Sequence, residues 1–84
     1  MRHVATAEFW QAYEALPERV QKVADQNFEL LKTSPMHPSL HFKKVGNLWS
    51  ARVGLSWRAL AAQDGQTIIW FWIGSHTDYD KLLR

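Results

Sequence analysis

Leu48-Trp49-Ser50-Ala51-Arg52-Val53-Gly54-Leu55-Ser56-Trp57-Arg58-Ala59-Leu60 is the stretch on which the architecture turns. Side chains alternate across a strand with a period of two. Trp49, Ala51 and Val53 therefore share one face, and Leu48, Ser50 and Arg52 share the other. Gly54-Leu55-Ser56 reads as a tight connection or a bulge. A second strand follows from Trp57 to Gln63, so an arginine arrives from each side of the connection.

The same reading extends outward in both directions. Upstream, Leu40-His41-Phe42-Lys43-Lys44-Val45 alternates, with Leu40, Phe42 and Lys44 on one face and His41, Lys43 and Val45 on the other. Gly46-Asn47 then gives a turn signal. Downstream, Asp64-Gly65 is a strong hairpin signal between apolar runs. The next strand, Thr67 to Ile73, is apolar on both faces. Strict alternation puts Ile69, Phe71 and Ile73 on one and Ile68, Trp70 and Trp72 on the other. A strand of that kind is normally buried on both sides. Either the last residues fold back to close the second side, or two tryptophans wait for a partner.

The first third reads differently. Residues 2–5 suit a short edge strand. Thr6 is a helix N-cap with Glu8 in the first turn. Phe9, Ala12, Tyr13 and Leu16 then fall on one helical stripe. Leu16-Pro17 ends that helix, because the residue before proline is pushed out of the α region. Pro17 also suits the start of a second helix, with Val20, Val23, Ala24, Asn27, Phe28 and Leu31 as its stripe and Asn27 as the polar break. The expectation is an α+β fold: an N-terminal helical hairpin packed on one face of a small, mainly antiparallel sheet.

Eighty-four residues suit one domain over residues 1–84, and five Trp, four Phe and two Tyr supply buried area for so small a core. The chain has no cysteine, whereas secreted domains of this size usually carry disulfides. It has no apolar run of about 18 residues and no signal-peptide pattern at its start. Cytoplasmic localisation without membrane association is the expectation. Net charge is +2 but uneven: Lys32, Lys43, Lys44, Arg52 and Arg58 lie in residues 32–63, which hold no acid. A cationic middle of that kind attracts a polyanion, although exposed strand positions can be basic for solubility alone. The four histidines, at 3, 37, 41 and 76, lack metal-ligand spacing, and the scattered glycines form no phosphate loop. No metal or cofactor is expected.

If the strands pair as neighbours, Arg52, Arg58, His76 and Tyr79 meet over the face away from the helices. That set suits metal-independent RNA cleavage. A 2′-OH attacks the adjacent phosphorus, which calls for proton transfer and for positive charge at the phosphorane. Histidine handles protons near neutral pH, and arginine's planar fork grips phosphate oxygens. Tyr79 would stack on a base or bond the phosphate, and Lys43 and Lys44 would add RNA-binding charge. Taken singly, each has a plainer reading: solvated strand arginines, a surface-turn histidine, and a tyrosine packed under the sheet.

The order of these features resembles the RelE/ParE toxin superfamily of bacterial type II toxin–antitoxin systems. The segments that carry the likeness are the hairpin at Leu16-Pro17, Ser34-Pro35 with His37-Pro38-Ser39-Leu40, the 48–60 stretch, and Ile73-Gly74-Ser75-His76-Thr77-Asp78-Tyr79. The resemblance implies a microbial-ribonuclease-like sheet with two helices on one face and a cognate antitoxin that blocks the site. In the RelE branch it implies cleavage of mRNA on the ribosome. Arg52 and Arg58 then match the family's basic strand positions, His76 the catalytic position after the glycine, and Tyr79 the C-terminal aromatic. Ser50 stands where the best-known RelE pattern has a lysine, and residues 17–31 lack that pattern's lysine-rich helix. Those departures keep two alternatives in play: a non-catalytic ParE-like gyrase inhibitor, and an inactive remnant that only binds an antitoxin. A structural module dimerising through the Trp-rich strand is a third. The sequence leaves the oligomeric state open.

Overall fold

The computed structural model describes residues 1–83. In chain order it contains β1 (Arg2–Ala5), α1 (Ala7–Glu14), α2 (Glu18–Thr33), one 3-10 turn (Pro38–Leu40), β2 (Lys43–Val45), β3 (Leu48–Val53), β4 (Trp57–Asp64), β5 (Thr67–Ser75) and α3 (His76–Leu82). The five strands form one sheet in the order β1-β5-β4-β3-β2. Only the β1–β5 pairing is parallel; the other three are antiparallel. This is the α+β architecture expected, a mixed sheet under a pair of helices.

Local chemistry sets each boundary. Thr6 Oγ1 accepts from the Phe9 N–H at 3.2 Å and starts α1. Gln21 of α2 ties down the turn that follows α1, its Nε2 donating to Tyr13 O at 3.1 Å and to Leu16 O at 3.3 Å. Tyr13 Oη donates to Asp25 across the two helices at 2.7 Å. Two-residue loops join β2 to β3 and β4 to β5, each with a glycine first: Gly46 at φ 62° and Gly65 at φ 59°. Positive φ at that position matches the right-handed twist of a hairpin.

Helices α1 and α2 cover one face of the sheet, packing against β5 and β3 respectively. Between them and the sheet lie Leu16, Val20, Ala24, Leu31, Leu40, Ala51, Val53, Ala59, Ala61, Ile68, Trp70 and Ile73. Asn27, the polar break in the α2 stripe, donates from Nδ2 to the Arg52 carbonyl at 3.1 Å. It fixes β3 where β2 no longer supplies a ladder partner.

Two expectations change. Leu40 to Val45 is not one strand: residues 38–40 form the 3-10 turn, and pairing begins only at Lys43. Pro38 at the front of the turn favours that tight start. In β5, strict alternation fails. The register slips between Leu60 and Ala61, so Leu60 pairs with Trp72 and Ala61 with Trp70, and Phe71 becomes the extra residue of a bulge. Ile68, Trp70 and Ile73 therefore share the helix side, and Trp72 lies opposite it.

The second face is closed in part by the chain itself. Leu60, pointing away from α1 and α2, is 2% exposed. Helix α3 packs against β4 and β5, and Tyr79 is its buried residue. The β5 strand is paired on both edges, by β1 and β4. That removes the free edge a Trp-rich strand would need to dimerise.

Candidate active site

The sheet register draws a row of side chains across the face away from α1 and α2. Arg52 on β3 pairs directly with Arg58 on β4, and Arg58 pairs with Gly74 on β5. Like charges directly opposite one another on a sheet are destabilising. The pair is left standing with no carboxylate partner among the described residues.

Each arginine is held differently. Arg58 Nη1 donates to the Trp57 carbonyl at 2.8 Å and to Leu55 O at 3.5 Å, anchoring the guanidinium to the β3–β4 connection. Arg52 Nη2 lies 3.5 Å from His41 Nδ1. Its Nε is buried and, among the described residues, has no hydrogen-bond partner. Gly74 leaves room beside Arg58 for the flat ring of Trp72. A Cβ at Gly74 would stand 2.5 Å from that ring.

His76 enters from the far end of the row. It follows Gly74 by two residues, its backbone N–H donates to Ser56 O at 2.8 Å, and it opens α3. Ser75 caps that helix, its Oγ accepting from the Asp78 N–H at 3.1 Å. The exposed imidazole has Nε2 3.5 Å from the Asp80 carboxylate one turn later, and its ring stacks on Tyr79 at 6.1 Å between centroids. The structure thus brings Arg52 and Arg58 together, with His76 at the end of their row. Tyr79, at 9% exposure, is packed beneath His76 rather than offered as an open stacking surface.

The two lysines part company. Lys43 pairs with Ser50, two residues from Arg52 on the same face. Lys44 pairs with Trp49 and extends over its ring at 5.8 Å from the centroid, inside the reach of about 6 Å for such contacts. That is the helix side, so a shared RNA-binding face does not include Lys44. No cluster of three metal-ligating side chains occurs among the described residues. His41 was not singled out by its sequence, yet the Gly46-Asn47 turn centre already places residue 41 level with residue 52.

Comparison with known proteins gives the chain a family. Residues 18–81, from α2 through nearly all of α3, match the model for the ParE-like toxin domain. The chain belongs to the ParE-like toxin family. No curated protein matches it. Among solved structures it is similar to the toxin in the RelB-RelE antitoxin–toxin complex of Methanococcus jannaschii, at 19% identity and a TM-score of 0.75, over 96% of this chain and 99% of that one. It is also similar to YafQ from E. coli strain BL21(DE3), at 12% identity and 0.70, over 94% and 98%. The YoeB/ParE toxin of Agrobacterium tumefaciens aligns at 19% identity and 0.67, over 90% and 99%. At these identities the likeness is one of fold. The RelE/ParE resemblance read from residues 48–60 and 73–79 holds.

Proposed function

We propose that this ParE-like domain is the toxin of a type II toxin–antitoxin pair and that it cleaves mRNA on the ribosome without a metal ion. The observation that carries the reading is the Arg52–Arg58 pair, set directly opposite on the open face with His76 at the end of its row. A phosphodiester placed over that pair would relieve the like-charge repulsion and meet two forked donors where phosphorane charge develops. His76, with Asp80 able to hold its ring, would protonate the 5′ leaving oxygen. Tyr79 would hold His76 in place by stacking beneath it. A cognate antitoxin would silence the site by covering the arginine face; the similar M. jannaschii toxin was solved with its antitoxin.

The test is growth arrest and mRNA cleavage on expression without an antitoxin. His76→Ala is expected to lower cleavage about 100-fold, within the usual range for loss of an acid–base group, and to relieve the arrest. Unchanged cleavage in that variant removes His76 from the mechanism. A gyrase-directed reading keeps one support, since α2 carries Glu18, Asp25 and Glu29 against Arg19, Lys22 and Lys32 and has no net positive charge with which to grip ribosomal RNA. A DNA-damage response with intact mRNA would favour it.

A further inference from the structure

Cleavage by 2′-OH attack needs two proton transfers, and His76 accounts for one. The opposite end of the same row holds a second imidazole. Residues 43–45 of β2 pair with 50–48 of β3, and continuing that register by two residues brings His41 level with Arg52. The cross-sheet order is then His41, Arg52, Arg58, Gly74, with His76 just beyond. Three strand spacings of about 4.8 Å separate the two ends at the backbone. That gap leaves room for a phosphate over the arginines, with an imidazole-bearing residue at each end of the row.

The local conformation of His41 gives an independent indication. It lies at φ 43° and ψ 43°, where the chain leaves the 3-10 turn for β2, and it is the one non-glycine residue with positive φ among those described. Glycine would make that turn with less strain. Unfavourable backbone conformations held by their surroundings cluster at functional sites. His41 is exposed, so core packing does not account for the side chain either. Its Nδ1 faces Arg52 Nη2 at 3.5 Å. A guanidinium can only donate, so in this contact Nδ1 presents its lone pair toward the arginine face. Asp80, when ionised, can only accept, so His76 presents Nε2–H to it.

We infer that His41 is the catalytic proton acceptor of this site, paired across the Arg52–Arg58 row with His76 as the donor. The inference rests on the nuclease reading above and adds the missing half of its chemistry. With Arg52 turned onto the phosphate and its 3.5 Å contact to His41 released, the 2′-hydroxyl proton passes to the freed Nδ1 lone pair as O2′ bonds to phosphorus. The P–O5′ bond breaks, its electron pair stays on O5′, and protonated His76 supplies the proton. The products are a 2′,3′-cyclic phosphate and a 5′-hydroxyl end.

His41→Asn is the informative variant, since asparagine tolerates the left-handed conformation. It is assayed beside wild type and His76→Ala on ribosomes programmed with an mRNA whose scissile linkage carries either oxygen or sulfur at the 5′ bridging position. A thiolate leaves without a proton, so sulfur bypasses the acid but not the base. His41→Asn is expected to melt like wild type and to cleave both linkages about 100-fold more slowly. His76→Ala should recover on the sulfur linkage. In His41→Gly, added imidazole should restore part of the lost rate. Wild-type rates in His41→Asn on the oxygen linkage, or its recovery on sulfur, would overturn the assignment while leaving the nuclease reading intact. A wild-type chain that cuts neither linkage would bring down both.

Discussion

His3 is half-buried among aromatic rings, stacked on Trp70 with Phe28 and Phe42 around it. The Trp70 indole N–H donates to its Nδ1 at 3.1 Å, which requires that nitrogen to be unprotonated. Burial first, then the N-terminal ammonium and Lys32, push its pKa below the ordinary value of 6.5. The sign follows directly. The unfolded chain binds a proton here more readily than the fold does, so stability is full above pH 6.5 and is lost as pH falls from there through the lower folded value. Thermal melts at pH 7.5 and 5.5 should show a drop in Tm for wild type, and the drop should be smaller in His3→Gln. An equal drop in both would mean that His3 does not carry the effect. None of this is visible in the sequence, because the Trp70–His3 contact joins residues 67 positions apart.

At the scale of elements, alternation separates the functions of neighbouring lysines. Lys43 lies on the arginine face and Lys44 over Trp49 on the helix side. Lys43→Ala should therefore weaken RNA cleavage several-fold, and Lys44→Ala should leave it near wild type. Equal losses would contradict this division. Alternation was legible in the sequence wherever strands were regular, which is why β3 and the Arg52/Arg58 opposition could be read from residues 48–60. It misled in β5, where the bulge at Phe71 exchanges the faces and periodicity alone gives no sign of an inserted residue. Helix α3 had a local signal in Ser75 and Asp78, the hydroxyl and carboxylate spacing of a helix start, inside a segment read only as folding back over the sheet. His41 was hidden differently. Its face was read correctly, but its meaning depends on Arg52, a partner 11 residues away.

Across the whole molecule, the two faces of the sheet have separate work. One is filled by α1 and α2 over a continuous apolar core. The other is covered in part by α3, and the row across it carries two guanidiniums between two histidines. Stability alone would not favour that arrangement, because opposed like charges cost energy until an anion lies between them. The central claim is that the anion is the scissile phosphate of an mRNA. Primer extension on mRNA from cells expressing the chain, compared with Arg52→Gln and Arg58→Gln, tests it most directly. Discrete new 5′ ends are expected with wild type, falling about 100-fold or more in either variant. Growth arrest without new 5′ ends, undiminished in both variants, would contradict it.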